Sequence, residues 1–177
     1  MSESSKLRMQ IRQRAGFACE FCGVTEADVG GQLTLDHFQP KSKGGSDEIE
    51  NFLYCCVRCN QYKADYWPSQ PKDSMIWNPS IEPAKAHFLE GEGGELFPVT
   101  ETGRFTIERL RLNRSALVAH RQNRRRQEEE AHLLEHYKAL VQLLEQINYQ
   151  LASQVAEQRQ LLEEQRSLIQ FLLRQKK

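Results

Sequence analysis

Apolar residues recur every fourth position from Leu7 through Ile11 to Ala15, set among Lys6, Arg8, Arg12 and Arg14. That spacing predicts a short basic helix with one apolar stripe, stopped by Gly16. The polar start, residues 1–5, is expected to be disordered. Between Gln32 and Phe38 the period drops to two. Leu33 and Leu35 alternate with Thr34 and Asp36, which predicts a short strand ending in Asp36-His37. Pro40 and Gly44-Gly45 then force a loop. Phe52 to Cys55 reads as a second short strand, and Cys59 to about Trp67 as a helix ended by Pro68. The predicted order is strand, loop, strand, helix.

Residues 68–100 hold Pro68, Pro71, Pro79, Pro83 and Pro98 with Gly91, Gly93 and Gly94, and so predict a loop-rich stretch. A short helix is expected near Pro83–Leu89. Glu95–Val99 and Arg104–Ile107 read as two small strands around Gly103. Leu110, Leu112, Leu117 and Val118 begin a helix. From Gln127 onward a seven-residue repeat takes over. One column is Leu133, Leu140, Ile147, Gln154, Leu161 and Leu168; its companion is Tyr137, Leu144, Leu151, Gln158, Gln165 and Leu172. Leu134, Val141, Val155, Leu162 and Ile169 widen the stripe. Such a repeat predicts a coiled coil. A continuous helix there would be ~70 Å long at about 1.5 Å per residue. No small core covers that length, so a partner helix is implied, and Gln154, Gln158 and Gln165 could fix register or oligomer number. These patterns divide the chain into 1–126 and 127–177.

Composition adds little to this: apolar residues are 39% and charged residues 27% of the 177, a small core under much solvated surface. The basic and acidic totals are equal at 24, so net charge excludes no partner. Distribution says more. From Arg104 to Arg126 there are eight arginines and a single acid, Glu108. That is the footprint of phosphate contact, or of a solvated arginine-rich helix. Arg104, Arg111, Arg114, Arg121, Arg124 and Arg125 are the candidate nucleic-acid contacts. No apolar leader core and no long apolar run occurs, so no membrane contact is expected.

Five cysteines are present, four of them in Cys19-x-x-Cys22 and Cys56-x-x-Cys59. An odd count in paired C-x-x-C turns points to metal ligation, not a disulfide framework, and hence to a reducing, cytoplasmic setting. Each turn aims two sulfurs inward, and four thiolates suit a structural zinc. Buried free thiols are the plainer reading. Cys55 is left over, either as a small apolar residue or as a competitor of Cys56; Cys56 preserves the two-residue gap.

The stretch between the two pairs carries further chemistry. Asp36-His37 is followed by Asn51 and then by Asn60 directly after Cys59. Phosphodiester hydrolysis needs an activated water and a cation at the phosphate. His37 can act as the base near neutral pH. Asp36 and Asn60 can supply oxygen ligands, and Asn51 can bond across the loop to orient His37.

These residues resemble the HNH endonucleases, whose site is the ββα-metal finger. The resemblance covers roughly Arg12 to Arg126 and is carried by DHFQPKSKGG, CVRCNQYK and GRFTIERLRLNRSALVAHR. It implies a small ββα-metal finger with a four-cysteine zinc site; with the long C-terminal α-helix that the seven-residue repeat predicts, the expected fold class is α+β. It implies His37 as general base, Asn51 as the asparagine that orients it, Asp36 and Asn60 as ligands of a catalytic ion, and the paired cysteines as zinc ligands. Asn60 stands where many members have histidine, as does Asp36 in some. Both changes exchange nitrogen for oxygen, which predicts Mg2+ or Mn2+. Lys63, one turn beyond Asn60, is a candidate contact to the scissile phosphate, or an ordinary exposed lysine.

The leading expectation is therefore a metal-dependent endonuclease acting on DNA and forming a homodimer or larger homo-oligomer through residues 127–177. A zinc-clamped binding module without catalysis, or an interaction protein built on the long helix, are the alternatives. His132-Leu133-Leu134-Glu135-His136 mimics a zinc peptidase pattern, but Leu133 belongs to the heptad seam. His87 and His120 are expected to be structural or exposed.

Overall fold

The computed structural model describes residues 3–175 and divides into two compact units, Met1–Arg125 and Arg126–Lys177. In the first, α1 (Glu3–Arg14) buries Ile11 completely, with Leu7 partly buried beside it. Its basic residues are tied down. Arg12 forks onto Glu26 at 2.5 and 2.6 Å, and Arg14 reaches Glu20 and the carbonyls of Ile49 and Phe52. Of the residues expected to be disordered, 3–5 lie in α1; 1 and 2 fall outside the described residues.

The chain then makes a tight turn through Cys19–Cys22. Cys19 N–H donates to Val24 O at 2.8 Å, and Gly23 takes the left-handed φ of 77° that closes the turn. A one-turn helix, α2 (Glu26–Val29), follows with Thr25 and Asp28 capping each other; the sequence reading did not anticipate it. Next come β1 (Thr34–His37) and β2 (Phe52–Cys55), paired antiparallel with Thr34 opposite Cys55 and His37 opposite Phe52. Tyr54 and Leu53 on β2 are fully buried. The Tyr54 hydroxyl accepts from Leu33 N–H at 2.8 Å and donates to Glu26, which fastens the hairpin to α2.

Helix α3 (Val57–Lys63) starts on Cys56, whose Sγ accepts from Cys59 N–H at 3.4 Å. It stops four residues short of the expected Trp67. Ala64 turns to a φ of 50°, and the Lys63 carbonyl goes to Arg109 at 3.2 Å. Strand, loop, strand and helix thus occur in the predicted order.

Residues 83–89 form a single 3-10 turn (Ala84–Ala86) followed by β3 (Phe88–Glu90), which pairs with β4 (Leu96–Pro98). Arg104–Ile107 is not a strand. It lies within α4 (Glu101–Leu110), whose N-cap Thr100 accepts from Gly103 N–H at 3.0 Å. Gly103 is no turn between strands. A Cβ there would stand 2.2 Å from His87 O, so the glycine lets the first turn of α4 press on that carbonyl.

Helix α5 spans Ser115–Gln175 without interruption. Leu117 and Arg121 are buried in the first unit. In the second unit every described side chain is exposed. Among the described residues no helix is long and apolar enough to cross a membrane.

Candidate active site and thiolate centre

Cys19 and Cys22 come from the turn between α1 and α2, Cys56 from the end of β2, and Cys59 from the first turn of α3. All four are buried, and their sulfurs lie within 4.8 Å of one another. Cys22 Sγ and Cys56 Sγ are 3.8 Å apart, too far for a disulfide. Four thiolates about 2.3 Å from a central zinc would stand about 3.8 Å from each other, which is the Cys22–Cys56 spacing, and the four sulfurs of this cage are near enough to share one ion. The neighbouring thiols of Cys19, Cys22 and Cys59 favour the Cys56 thiolate and hold its pKa down. Cys55 is excluded from the cage. It is fully buried, its sulfur 3.8 Å from Thr34 Oγ1, and burial pushes its thiol pKa up. The choice of Cys56 over Cys55 agrees with this geometry. Desolvation opposes the charge on Arg114, but the nearby sulfurs of Cys59, Cys22 and Cys56 favour it and leave its pKa raised.

Asp36 and His37 are consecutive on β1 and so project to opposite faces. Asp36 turns toward α3. There Lys63 Nζ lies 2.8 Å from Asp36 Oδ2, off the line of a hydrogen bond, so that buried oxygen has no hydrogen-bond donor. The same ammonium donates to the His37 carbonyl at 2.6 Å. Lys63 is 1% exposed. It is therefore a buried tie between α3 and β1, not a surface cation reaching for phosphate. Its long stem can cross the gap only because α3 packs against β1.

The His37 ring rests on its cross-strand partner Phe52, centroids 4.3 Å apart, with 24% of the side chain exposed. Its Nε2 lies 2.9 Å from Asp47 Oδ1. Lys41, and after it His37, hold the Asp47 carboxyl below its ordinary pKa, so Asp47 is an acceptor at neutral pH. Nε2 must then donate, which in the neutral ring leaves the lone pair on Nδ1.

Asn51 does not bond the imidazole. Its Nδ2 donates to Ser46 O at 2.8 Å and Gln39 O at 3.1 Å, and its Oδ1 accepts from Gln39 N–H at 2.8 Å. It clamps both sides of the loop that carries Asp47, whose carboxylate meets His37. Gly45 makes the clamp possible: a Cβ there would fall 1.9 Å from Gln39 O. Asn60 is partly buried on α3, one turn before Lys63 and hence on the face that reaches Asp36. Its side-chain amide makes no hydrogen bond among the described residues. A cleft of about 510 Å³ is lined by Phe38, Gln39, Asn51, Trp67 and Trp77, and not by His37.

Sequence reasoning missed Asp47 and Lys41. Their only signal was a position in the glycine-containing loop after the Asp36-His37 pair. The arginine set needs one correction. Arg121 is 3% exposed and donates to the carbonyls of Gly94 at 2.5 Å and Leu112 at 2.8 Å, so it holds the fold and offers nothing to phosphate. Arg124 pairs with Glu90 at 2.8 Å, and Arg104 with Glu101 at 3.3 Å. Arg111 and Arg114 lie over the Tyr62 ring at 4.9 and 5.7 Å. Arg125 is exposed. His87 is buried between Glu82 and Thr100, and His120 bonds Asp28 at 3.0 Å. His132 and His136 lie exposed, with Glu135 paired to Lys138 at 2.7 Å. Among the described residues, the four cysteines are the cluster of His, Cys, Asp or Glu donors close enough to share an ion.

Comparison with known families matches residues 19–75 to the HNH endonuclease family model. No curated protein and no solved structure gives a significant match. The matched segment runs from the first cysteine through both strands and α3, about a third of the 177-residue chain. Residues 19–75 thus carry an HNH endonuclease family domain, held around a four-cysteine cage.

Proposed function

We propose that this chain is a metal-dependent endonuclease that hydrolyses phosphodiester bonds in DNA. The observation that carries this reading is the His37–Asp47 contact of 2.9 Å inside the matched family segment. A fixed, partly exposed imidazole with its lone pair on Nδ1 is poised to take a proton from water. His37 is the base, Asp47 positions it, and Asn51 holds the loop that carries Asp47. The Asp36 carboxylate, whose Oδ2 faces the Lys63 ammonium at 2.8 Å, and the unengaged amide of Asn60 are hard oxygen donors that suit Mg2+ or Mn2+. Such an ion would supply positive charge at the phosphate and the leaving oxygen. The cysteine cage holds a structural zinc. Residues 1–126 form the nuclease part, with Arg104, Arg111, Arg114, Arg124 and Arg125 toward the DNA backbone. Residues 127–177 join copies of the chain, and cysteines arranged for metal ligation, not for a disulfide framework, suit a reducing, cytoplasmic setting.

A second reading, a zinc-clamped nucleic-acid-binding module without catalysis, draws on the Lys63 ammonium lying against Asp36. One experiment separates the two. Plasmid cleavage is measured across a panel of divalent ions for wild type and His37→Ala, beside DNA affinity. Mg2+- or Mn2+-dependent cleavage that vanishes in His37→Ala, with affinity retained, supports the enzyme. Equal affinity with no cleavage under any ion supports the binding module.

A further inference from the structure

The second unit presents a three-column apolar stripe with nothing on it. Its apolar members between Leu133 and Leu172 are 42% to 60% exposed. The helix has no glycine or proline from Ser115 to Gln175 and no break at which to fold back on itself. We infer that residues 133–172 pair with the same residues of a second copy in parallel and in register, so that both nuclease units are joined to one end of the coil. This rests on the self-association proposed above and adds its direction.

Two independent features set that direction. The first is where the polar seam residues lie. Gln154, Gln158 and Gln165 all fall in the C-terminal half of the stripe, while the seam from Leu133 to Leu151 is apolar throughout. In a parallel in-register pair each glutamine meets its own copy, and the two amides can satisfy one another. An antiparallel pair with full overlap would set Gln165 against Leu140, Gln158 against Ile147 and Gln154 against Leu151. Every amide would then be buried on an aliphatic side chain without a partner, which is costly.

The second feature is charge. In the C-terminal half, one flank of the stripe carries Glu157 and Glu164 and the other carries Arg159 and Arg166. Parallel pairing brings each acidic flank beside the basic flank of the second copy. Antiparallel pairing brings like flanks together. It sets Arg166 beside Lys138, a repulsion that the approach of Arg159 to Glu145 only offsets, and it leaves Glu157 and Glu164 without a basic partner, opposite Leu143 and Gln150.

Single cysteines in the full-length protein test the orientation. Leu161→Cys, and separately Leu168→Cys, is oxidised mildly beside wild type, and the covalent dimer is measured on a non-reducing gel. Sedimentation gives the mass of the unoxidised protein. Parallel register predicts that each variant forms a covalent dimer with itself at least tenfold above wild type. Leu161→Cys mixed with Leu144→Cys should give no mixed product. If the mass is that of a dimer, but only the mixed pair cross-links, the copies run antiparallel and the inference is overturned. A monomer mass overturns it together with the self-association. Cleavage by that monomer would leave the nuclease reading intact.

Discussion

Lys63 Nζ and Asp36 Oδ2 stand 2.8 Å apart, the lysine all but sealed from water and the acid 22% exposed. The pair joins the helix that carries Asn60 to the strand that carries His37. Lys63→Met removes the cation and strands the carboxylate. Breaking a wholly buried pair costs about 3–5 kcal/mol. Because Asp36 keeps some water, we expect about 2–3 kcal/mol here, read as a fall in the urea midpoint. A change below about 0.5 kcal/mol would show that the lysine is not a structural tie.

Asp47 sits in an exposed loop, so Asp47→Asn should leave the melting temperature within about a degree or two. Its effect belongs in the chemistry. With the tautomer of His37 no longer enforced, cleavage should fall about tenfold to a hundredfold, less than the about 10²–10⁴-fold expected for His37→Ala. Single-turnover cleavage at saturating protein checks this, and an unchanged rate would remove Asp47 from the site.

The cage predicts one tightly held zinc per chain. Cys56→Ser should lose it and unfold the finger, since structural zinc in small domains contributes about 10–16 kcal/mol of apparent binding energy. Cys55→Ser should keep the ion and cost about 1–3 kcal/mol through a changed buried contact. Elemental analysis together with circular dichroism distinguishes the two. Equal zinc loss in both variants would mean that Cys55 takes part.

Glu26 is held by Arg12 and Tyr54, which bring its pKa from 4.5 down to about 2. A carboxylate with a depressed folded pKa contributes stability above its unfolded pKa and loses it as pH falls through the folded one. Denaturation midpoints should therefore decline between about pH 4.5 and 2. Glu26→Gln should flatten that decline while lowering the midpoint at pH 7. A variant whose acid profile matches wild type would sink this account.

The residues whose role follows from local pattern were the ones legible beforehand. The two-residue alternation through Leu33 and Leu35 marked β1, the C-x-x-C spacing marked the cage, and the seven-residue columns marked the long helix. Arg104–Ile107 was misread because four alternating residues fit a strand or a helix turn equally well. What decided it was Gly103 lying against the His87 carbonyl, a contact between residues sixteen apart. Lys63 and Arg121 look like surface cations until the acceptors that bury them arrive from other elements: Asp36 for one, Gly94 and Leu112 for the other. Asp47 lay in a loop whose path depends on Asn51 and Gly45.

Glu20, between the first two cage cysteines, makes two hydrogen bonds to the backbone of Tyr54 on β2. Its N–H donates to Tyr54 O at 2.9 Å, and its carboxylate accepts from Tyr54 N–H at 2.6 Å. Loss of a metal from the cage would therefore slacken the hairpin bearing His37. A chelator would silence such a nuclease even if it never touched the ion at the phosphate, so inhibition by EDTA alone is no assay for which metal performs the cut.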